Sequence, residues 1–437
     1  MNRLTVTNIE AKGNLLRVHF RCSGRIRRFF NENSFFAEYD TNIEDVPEVF
    51  LVIPFLATVC PVVWACGAEV YVSAVDEEFL GALKAIKKTF RKFYPEVGFS
   101  GSIHVGKVVK LDVGVQPKSM MLFSGGVDSI FTYLRHRDEK PDLVVVNGAD
   151  VRLDNREAWK VVLDVSNDFS EKTGSKLRTI QTNFRDMVDE YMLGSIYGKK
   201  LHTYWYGGVM HGMALLGFCA PLTYVDKIGK LYLSSTYTKK FSEPWGSHPD
   251  IDNNVKWAGT TASHDGYELS RQEKLFVIAD YIKKTDQKFF IRSCWYTEKI
   301  ANCSVCEKCS RTILGLELAG MDPNEYGFEV NGDTFTAMKK SIEDCKLYER
   351  LGDMFLWKDI QHYAGSEKDF PNSEVKDLLN WLMTVDIDAF RQEPEAESFF
   401  QNYRWVYQLF LPYPIYKISR TIYKKIHFPL LRIMRRG

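Results

Sequence analysis

A short glycine turn stands between an apolar run and a predicted helix in the first half of the chain. Met120–Phe123 is typical of a buried strand, Ser124–Ser129 reads Ser-Gly-Gly-Val-Asp-Ser, and Ile130–Arg135 continues as a helix. Because Gly125 and Gly126 lack Cβ atoms, successive backbone N–H groups can converge there, and the helix N-terminus adds partial positive charge. This spacing predicts a turn that holds a pyrophosphate group.

Side chains of the same turn complete the predicted phosphate site. Ser124 and Ser129 supply hydroxyl donors on either side of Val127, and Asp128 places a negative charge beside the phosphates. Such a carboxylate is expected to orient the loop or to reach Mg²⁺, which screens the like charge. The alternative is an ordinary capped turn in which Asp128 is the N-cap.

Four cysteines later in the chain have metal-ligand spacing. Cys294, Cys303, Cys306 and Cys309 follow the pattern C-x8-C-x2-C-x2-C. Each C-x-x-C turn presents two sulfurs to one ion, and four thiolates leave no open coordination position, so we predict a structural Zn²⁺ that stabilises the local fold. The alternatives are an iron–sulfur cluster and a set of free thiols.

The elements around these motifs indicate an α/β fold. From about residue 118 short apolar runs alternate with amphipathic helices, which predicts a Rossmann-like parallel sheet with ligands beyond the carboxyl ends of its strands. The predicted strands are Met120–Phe123, Leu143–Asn147, Leu177–Thr182, Leu231–Ser234 and Phe289–Ser293. We expect an α+β domain over 1–115, the α/β domain over 116–320 with the cysteine site at 294–309, and a helical region over 321–437.

The turn and the cysteine spacing together resemble a known enzyme superfamily. Ser124–Ser129 matches the SGGxDS signature of the PP-loop ATP pyrophosphatases, which include GMP, NAD and asparagine synthetases. The cysteine pattern is similar to the zinc motif of QueC, the cyano-deazaguanine synthase, and Ser270–Lys274 lies where that family has its Ser-Lys-x-Glu helix start. The likeness covers roughly residues 118–321. The chain departs from it at Asn147–Asp150, where the family has Tyr-Gly-Gln, and in carrying about 115 further residues at each end.

The resemblance implies an ATP-dependent ligase. ATP is cleaved between its α and β phosphates, AMP passes to the carboxylate of a deazaguanine or related substrate, and nitrogen then displaces the adenylate to give an amide, a nitrile or a conjugate. ATP and Mg²⁺ are implied at Ser124–Ser129, and the implied catalytic residues are Ser124, Asp128, Ser129, Arg271 and Lys274. The chain looks closer to long QueC-like proteins from surface-polysaccharide or anti-phage defence clusters than to the housekeeping enzyme; in the defence examples the product is attached to a partner protein.

Further polar residues are predicted to overhang the site from neighbouring loops. His248 and Asp250 follow the fourth predicted strand, and Asp265 precedes the next helix. These three are candidates to bind substrate or Mg²⁺, while Arg271 and Lys274 are candidates to neutralise a carboxylate or the departing phosphates. For each of the five, a local turn or cap role is the equal alternative.

One uncharged stretch of the chain has two possible interpretations. Val49–Ala68 carries no charge and has the length of a membrane span, about 20 residues. Because Pro54 and Pro61 interrupt it and acidic residues flank it, we favour buried helical pieces that lead into a strand at Glu69–Ala74.

His211, inside a predicted helix, is interpreted as a packed core histidine in preference to a catalyst.

Composition sets the expected compartment and partner class. The 437 residues are 45% hydrophobic and 26% charged, and a net charge of +1 gives no bulk basic field for nucleic acid. The nine cysteines are an odd number with four at metal-ligand spacing, which argues against a disulfide framework, and the start of the chain shows no secretory signal. We therefore expect a cytoplasmic protein whose acceptor is a small molecule or a protein, and nucleic acid is the less expected partner.

Two other functions fit parts of the sequence. One is an RNA-modifying sulfurtransferase built on a PP-loop, in which cysteines hold a cluster or carry sulfur. The other is a non-enzymatic protein that keeps the nucleotide fold and docks to a membrane or a partner. A complete set of four zinc ligands disfavours the first, and the intact Ser124–Ser129 turn disfavours the second.

The segment 399–437 predicts peripheral membrane contact, because it contains eight Lys or Arg residues, many aromatic residues and no Asp or Glu. Each basic residue near an anionic leaflet contributes about 1 kcal/mol. We expect the full-length protein to float with anionic vesicles at low salt, and truncation after Glu397 to abolish flotation while the remaining chain stays folded. Failure of the full-length protein to float contradicts membrane contact. A partner protein from the same gene cluster, RNA, or simple packing of the aromatic residues on the body then remains as the role of the tail.

Overall fold

The computed structural model describes residues 2–241, 243–294, 301–344, 351–365 and 373–390, together with residue 415. Within these residues the strands are β1 (Arg3–Lys12), β2 (Leu15–Ser23), β3 (Ser34–Tyr39), β4 (Glu69–Asp76), β5 (Ser102–Val109), β6 (Gln116–Leu122), β7 (Asp142–Asn147), β8 (Leu177–Thr182), β9 (Ile228–Ser234), β10 (Lys256–Trp257) and β11 (Thr260–Asp265). The tail at 399–437 lies outside the described residues, apart from residue 415.

The same part of the chain contains fifteen α-helices. They are α1 (Glu48–Leu51), α2 (Ile53–Ala65), α3 (Glu77–Phe93), α4 (Val127–Arg135), α5 (Arg156–Thr173), α6 (Phe184–Met187), α7 (Glu190–Leu201), α8 (His211–Phe218), α9 (Ala220–Asp226), α10 (Pro249–Asp252), α11 (Arg271–Thr285), α12 (Glu307–Leu318), α13 (Thr334–Glu343), α14 (Leu351–Ala364) and α15 (Ser373–Thr384).

One mixed sheet of eleven strands runs through the described part of the molecule, in the order β10-β11-β9-β6-β7-β8-β3-β2-β1-β4-β5. The run from β11 to β8 is parallel, as are β1, β4 and β5, and the remaining pairs are antiparallel. This confirms the predicted α/β class with a large, mostly parallel sheet. Alternate residues of β6 enter opposite cores: Met120 packs with the N-terminal helices, and Met121 packs with α4, α11 and α12.

The N-terminal strands continue the same sheet. β3 pairs antiparallel with β8, with Ala37 opposite Thr182 and Tyr39 opposite Ile180. Hydrogen bonding between strands therefore crosses the expected boundary at residue 115, and the division into domains stays a prediction. Helices α13 to α15 add apolar residues to the core that contains α11 and α12.

One strand assignment from the sequence was wrong, and one strand was missed. Phe289–Ser293 is not a strand, although Phe289 and Ile291 are buried; the backbone N–H of Ile291 donates to Tyr326 and that of Arg292 donates to Gly125. The position beside β9 is taken instead by β11, whose sequence Thr-Thr-Ala-Ser-His-Asp lacks the apolar run that marks a buried strand. Apolar composition indicated burial correctly but not sheet pairing.

The uncharged stretch Val49–Ala68 is packed inside the protein. It forms α1 and α2, whose residues are buried, and then leads into β4 as predicted. Within the described residues one helical run, Tyr206–Asp226, is long and apolar enough to cross a membrane, and 83% of its most apolar window is buried by the protein.

A buried ion pair secures the junction between β3 and β8. Arg178 in β8 is 1% exposed, donates from Nε to Asp40 Oδ1 at 3.0 Å, and also pairs with Asp226 at the end of α9. Arg178→Met should lower the free energy of unfolding by about 3 kcal/mol, because two partly buried carboxylates lose their cation.

Urea unfolding of Arg178→Met measures this change, and Lys160→Met is the matched control. Lys160 forms an exposed 3.8 Å pair with Asp164, so its loss should cost less than about 0.5 kcal/mol. Equal effects of the two substitutions would contradict the role assigned to Arg178.

Candidate functional site

The turn Ser124–Ser129 joins β6 to α4 at the carboxyl end of a central strand. Gly125 has φ of +72°, in the left-handed region that favours glycine, and Gly126 is the N-cap of α4. Ser129 Oγ donates to the Gly126 carbonyl at 3.0 Å, and the backbone N–H of Arg292 donates to the Gly125 carbonyl at 2.8 Å. The turn is thereby fixed at a helix N-terminus, where an anion is favoured.

Asp128 is held by two cations from α11. Arg271 Nη1 donates to Asp128 Oδ2 at 2.5 Å and Lys274 Nζ donates to Asp128 Oδ1 at 3.2 Å. A capping box between Ser270 and Glu273 starts α11 and places both cations on one face. Burial raises the pKa of the Asp128 carboxyl, but the charges of Arg271 and Lys274 outweigh it and hold that pKa below its usual value. Asp128 is therefore ionised and orients the turn relative to α11.

The turn forms part of a cavity of about 260 Å³ at the carboxyl ends of β6, β7 and β9. Its lining includes the turn residues Ser124, Gly126, Asp128 and Ser129 and a cationic wall of Arg271, Arg292, Lys308 and Arg311. Arg292 Nη1 donates to the Ser124 carbonyl at 3.2 Å, and burial, with the nearby Arg271, lowers the pKa of Lys308 to about 8. Hydrogen-bond donors and cations that line one cavity suit a multiply charged anion such as a phosphate chain.

The cavity lining also includes the carboxylates of Asp150 and Asp353 and the imidazole of His211. Tyr206 Oη donates to Asp150 Oδ1 at 3.3 Å. Burial raises the pKa of Asp150, but the nearby groups His211, Lys308, Arg185 and Arg292 together hold that pKa below its usual value. Burial lowers the pKa of His211, although the Asp150 carboxylate opposes the shift. The structure thus places His211 in the cavity, where the sequence favoured a core position.

The four cysteines converge on one point. Their sulfurs all lie within 4.8 Å of one another, with Cys294 Sγ 3.8 Å from Cys306 Sγ and Cys303 Sγ 3.9 Å from Cys309 Sγ. A tetrahedral ion with Zn–S bonds of about 2.3 Å has sulfur–sulfur edges of about 3.8 Å, so the cluster fits a metal such as zinc. Cys294 also lines the cavity, and the cysteine cluster therefore borders the same cavity as the glycine turn.

Asn302 organises the backbone around the cysteine cluster. Its Oδ1 accepts from the N–H of Ser293 at 2.8 Å and of Cys294 at 3.3 Å, while its Nδ2 donates to the carbonyls of Ile291 at 2.8 Å and Gly327 at 2.9 Å. A buried amide that makes four bonds fixes the segment 291–294 without a strand partner.

The three predicted substrate residues are not among the residues that line the cavity. His248 accepts from the backbone N–H of Asp250 at 3.1 Å, and its ring packs against Phe93. Asp250 forms a 3.6 Å ion pair with Lys92. Asp265 lies 3.1 Å from His136 Nε2 and 3.6 Å from an Arg135 nitrogen. His248 and Asp250 therefore make local contacts outside the cavity lining, and Asp265 is a buried residue of β11 that pairs with basic groups of Arg135 and His136.

The charged or titratable cavity residues that were not assigned to the site from sequence include Asp150, His211, Arg292, Lys308, Arg311 and Asp353. Sequence signals existed for some of them. Lys308 lies between two of the cysteines, and Asp150 follows Gly148, which has φ of +93°. A Cβ at Gly148 would lie 1.8 Å from the Thr182 carbonyl oxygen, so the loop that carries Asp150 requires glycine there.

The cavity combines groups that can bind a polyanion with groups that can bind a cation or exchange a proton. The glycine turn and the cationic wall supply the first, while Asp150 and His211 supply a carboxylate and an imidazole. Such a combination suits a reaction between an anionic and a basic reactant. Comparison of the chain with protein-family models, curated proteins and solved structures finds no match.

Proposed function

We propose that this chain is a QueC-like ATP-dependent ligase. It transfers AMP from ATP to the carboxylate of a deazaguanine or related acceptor, releases pyrophosphate, and exchanges the adenylate for nitrogen. The observation that carries the proposal is that the Ser124–Ser129 turn and the cationic wall line a single cavity. Electrostatic stabilisation of a leaving pyrophosphate needs preorganised donors and cations of this kind.

The proposal gives each residue of the turn a role. Ser124, Gly125, Gly126, Val127 and Ser129 bind the β and γ phosphates, and Mg²⁺ is expected with them, held largely by phosphate oxygens and water. Arg271 lines the cavity and can also reach an anion, whereas Lys274 is 0% exposed and acts through Asp128. Asp128, Arg271 and Lys274 therefore position the turn.

The ligase is favoured over the sulfurtransferase by the positions of the other thiols. Cys22, Cys60, Cys66 and Cys219 pack in or against the N-terminal core, and burial raises the pKa of each, to about 12 for Cys22 and Cys66. Among the described cysteines only Cys294 lines the cavity, and it belongs to the cluster of four. A sulfur carrier needs an accessible thiolate. Because the scattered thiols are packed in the core and Cys294 belongs to the cluster of four, the arrangement favours a zinc-containing ligase over a sulfurtransferase. A role in defence or polysaccharide synthesis rests on the resemblance alone.

We predict that ATP labelled at the γ position yields labelled pyrophosphate, with AMP as the other product, in the presence of a carboxy-deazaguanine acceptor and ammonium. Gly126→Val should lower this turnover about 100-fold or more, because its side chain meets the Arg292 carbonyl oxygen, 3.2 Å from a Cβ, and displaces the turn. Labelled orthophosphate released before any pyrophosphatase is added would contradict the proposal.

Gly125→Ala and Gly174→Ala form a matched pair for the same assay. Both glycines have left-handed backbones, with φ of +72° and +69°, so each substitution strains the backbone by about 1–2 kcal/mol. Gly125 lies in the turn, whereas a Cβ at Gly174 meets nothing within 4 Å. Only Gly125→Ala should lose turnover, and equal losses would show that strain alone explains the effect.

We predict about one zinc per chain and no iron chromophore in the purified protein. Cys306→Ser should lower zinc content and thermal stability, because metal binding at such sites contributes on the order of 10 kcal/mol to the local fold. Metal analysis and thermal melts measure both, with Cys22→Ser, which lies outside the cluster, as the control that keeps its zinc. Stoichiometric iron with sulfide, or folded metal-free protein, would contradict the prediction.

A further inference from the structure

His211 has the environment of a group that serves a ligand. It lines the cavity, and its buried Nδ1 has no hydrogen-bond partner within the described residues. Buried polar atoms are nearly always paired, so an unpaired imidazole nitrogen at a cavity wall indicates a ligand or water that supplies the bond.

The backbone in front of His211 is irregular. Tyr206–Met210 forms a single π-helical turn that ends at His211, and such turns occur frequently at functional sites. A Cβ at Gly207 would lie 2.4 Å from the Trp245 ring, so glycine is needed for this close approach. The His211 ring then stands 5.2 Å from the ring of Tyr206 and 6.5 Å from that of Trp245.

Asp150 is positioned by a chain of contacts that leads away from the cavity. Tyr206 donates its hydroxyl to Asp150, and the guanidinium of Arg185 lies 4.0 Å from the centre of the Tyr206 ring. Arg185 also donates to the Ala149 carbonyl at 3.0 Å and makes bonds of 2.6 and 2.7 Å to Glu190. A carboxylate fixed in this way attracts a cation without needing to move.

We infer that Asp150 binds the attacking nitrogen as an ammonium group and that His211 accepts its proton. The inference rests on the proposed function and makes ammonia or a primary amine the nitrogen donor. His211 takes one proton from the bound ammonium, and the neutral amine attacks the acyl carbon of the adenylate. The C–O bond to AMP breaks with its electron pair staying on AMP, and the departing phosphate carries away the second proton from the new amide nitrogen.

The charges around His211 agree with a neutral base. Burial, Arg185 and Lys308 lower the pKa of His211, while Asp150 and Asp252 raise it, and the net shift is downward. The imidazole is therefore unprotonated at neutral pH and free to accept a proton. For the wild-type enzyme with ammonium, we expect the rate to fall at low pH with an apparent pKa below about 6.5, the ordinary value for histidine.

The test compares two nucleophiles with ATP and a carboxy-deazaguanine acceptor. Ammonium must lose a proton before it attacks, whereas hydroxylamine is largely unprotonated at neutral pH. His211→Gln and Asp150→Asn should each lower ammonium-dependent AMP formation about 100-fold while hydroxylamine-dependent AMP formation stays within a few fold. His248→Gln, a histidine outside the cavity lining, is the matched control and should behave as wild type.

Each outcome decides between the alternatives. The inference is overturned if the variants match wild type with ammonium, or if they lose AMP formation equally with ammonium and with hydroxylamine. The proposed function still stands in that case, provided that the wild-type protein releases pyrophosphate. If the wild-type protein releases no pyrophosphate with either nucleophile, the proposed function fails and the inference fails with it.

Discussion

The buried contact between Asp128 and the cations Arg271 and Lys274 is the constraint on which the rest of the site depends. An uncompensated charge inside a protein costs several kcal/mol, so these three groups stay together and hold their helices together. α4 starts at the glycine turn and α11 follows β11, near one edge of the sheet. The carboxylate of Asp128, which the sequence placed beside a predicted phosphate site, forms ion pairs with Arg271 and Lys274. These contacts favour a role for Asp128 in orienting the turn.

The sheet then brings distant parts of the chain to one place. The turn after β6 and the loop after β7 border the same cavity, because the carboxyl ends of parallel strands share an edge. The segment 291–294, which is not a strand, borders the cavity as well. Arg292 joins two of these parts directly, since its backbone binds Gly125 and its side chain binds Ser124. Positive charge collects beside the turn, and Asp150 interacts electrostatically with Arg292 and Lys308 of the cationic wall. The cavity therefore presents cations and a carboxylate close together.

Features that depend on the spacing of neighbouring residues could be predicted from the sequence, whereas features that depend on distant segments could not. The glycine turn and the four cysteines were readable because a few neighbouring residues specify them, and the cysteines do converge. β11 was missed because its residues are mostly polar, and Phe289–Ser293 was misassigned because burial without strand pairing leaves the same apolar signature. His211 looked like a core residue because helical spacing does not reveal which side chain faces a cavity that other segments complete.

The segment 291–294 belongs to two sites at once: Arg292 braces the glycine turn, and two residues later Cys294 contributes to the cysteine cluster. An ion held by the cysteines and an anion held by the turn would therefore order the same few residues. Any change that one ligand made in the position of these residues would reach the other site. By thermodynamic reciprocity, the factor by which an occupied cavity changed the affinity for the metal would equal the factor by which the metal changed the affinity for the anion.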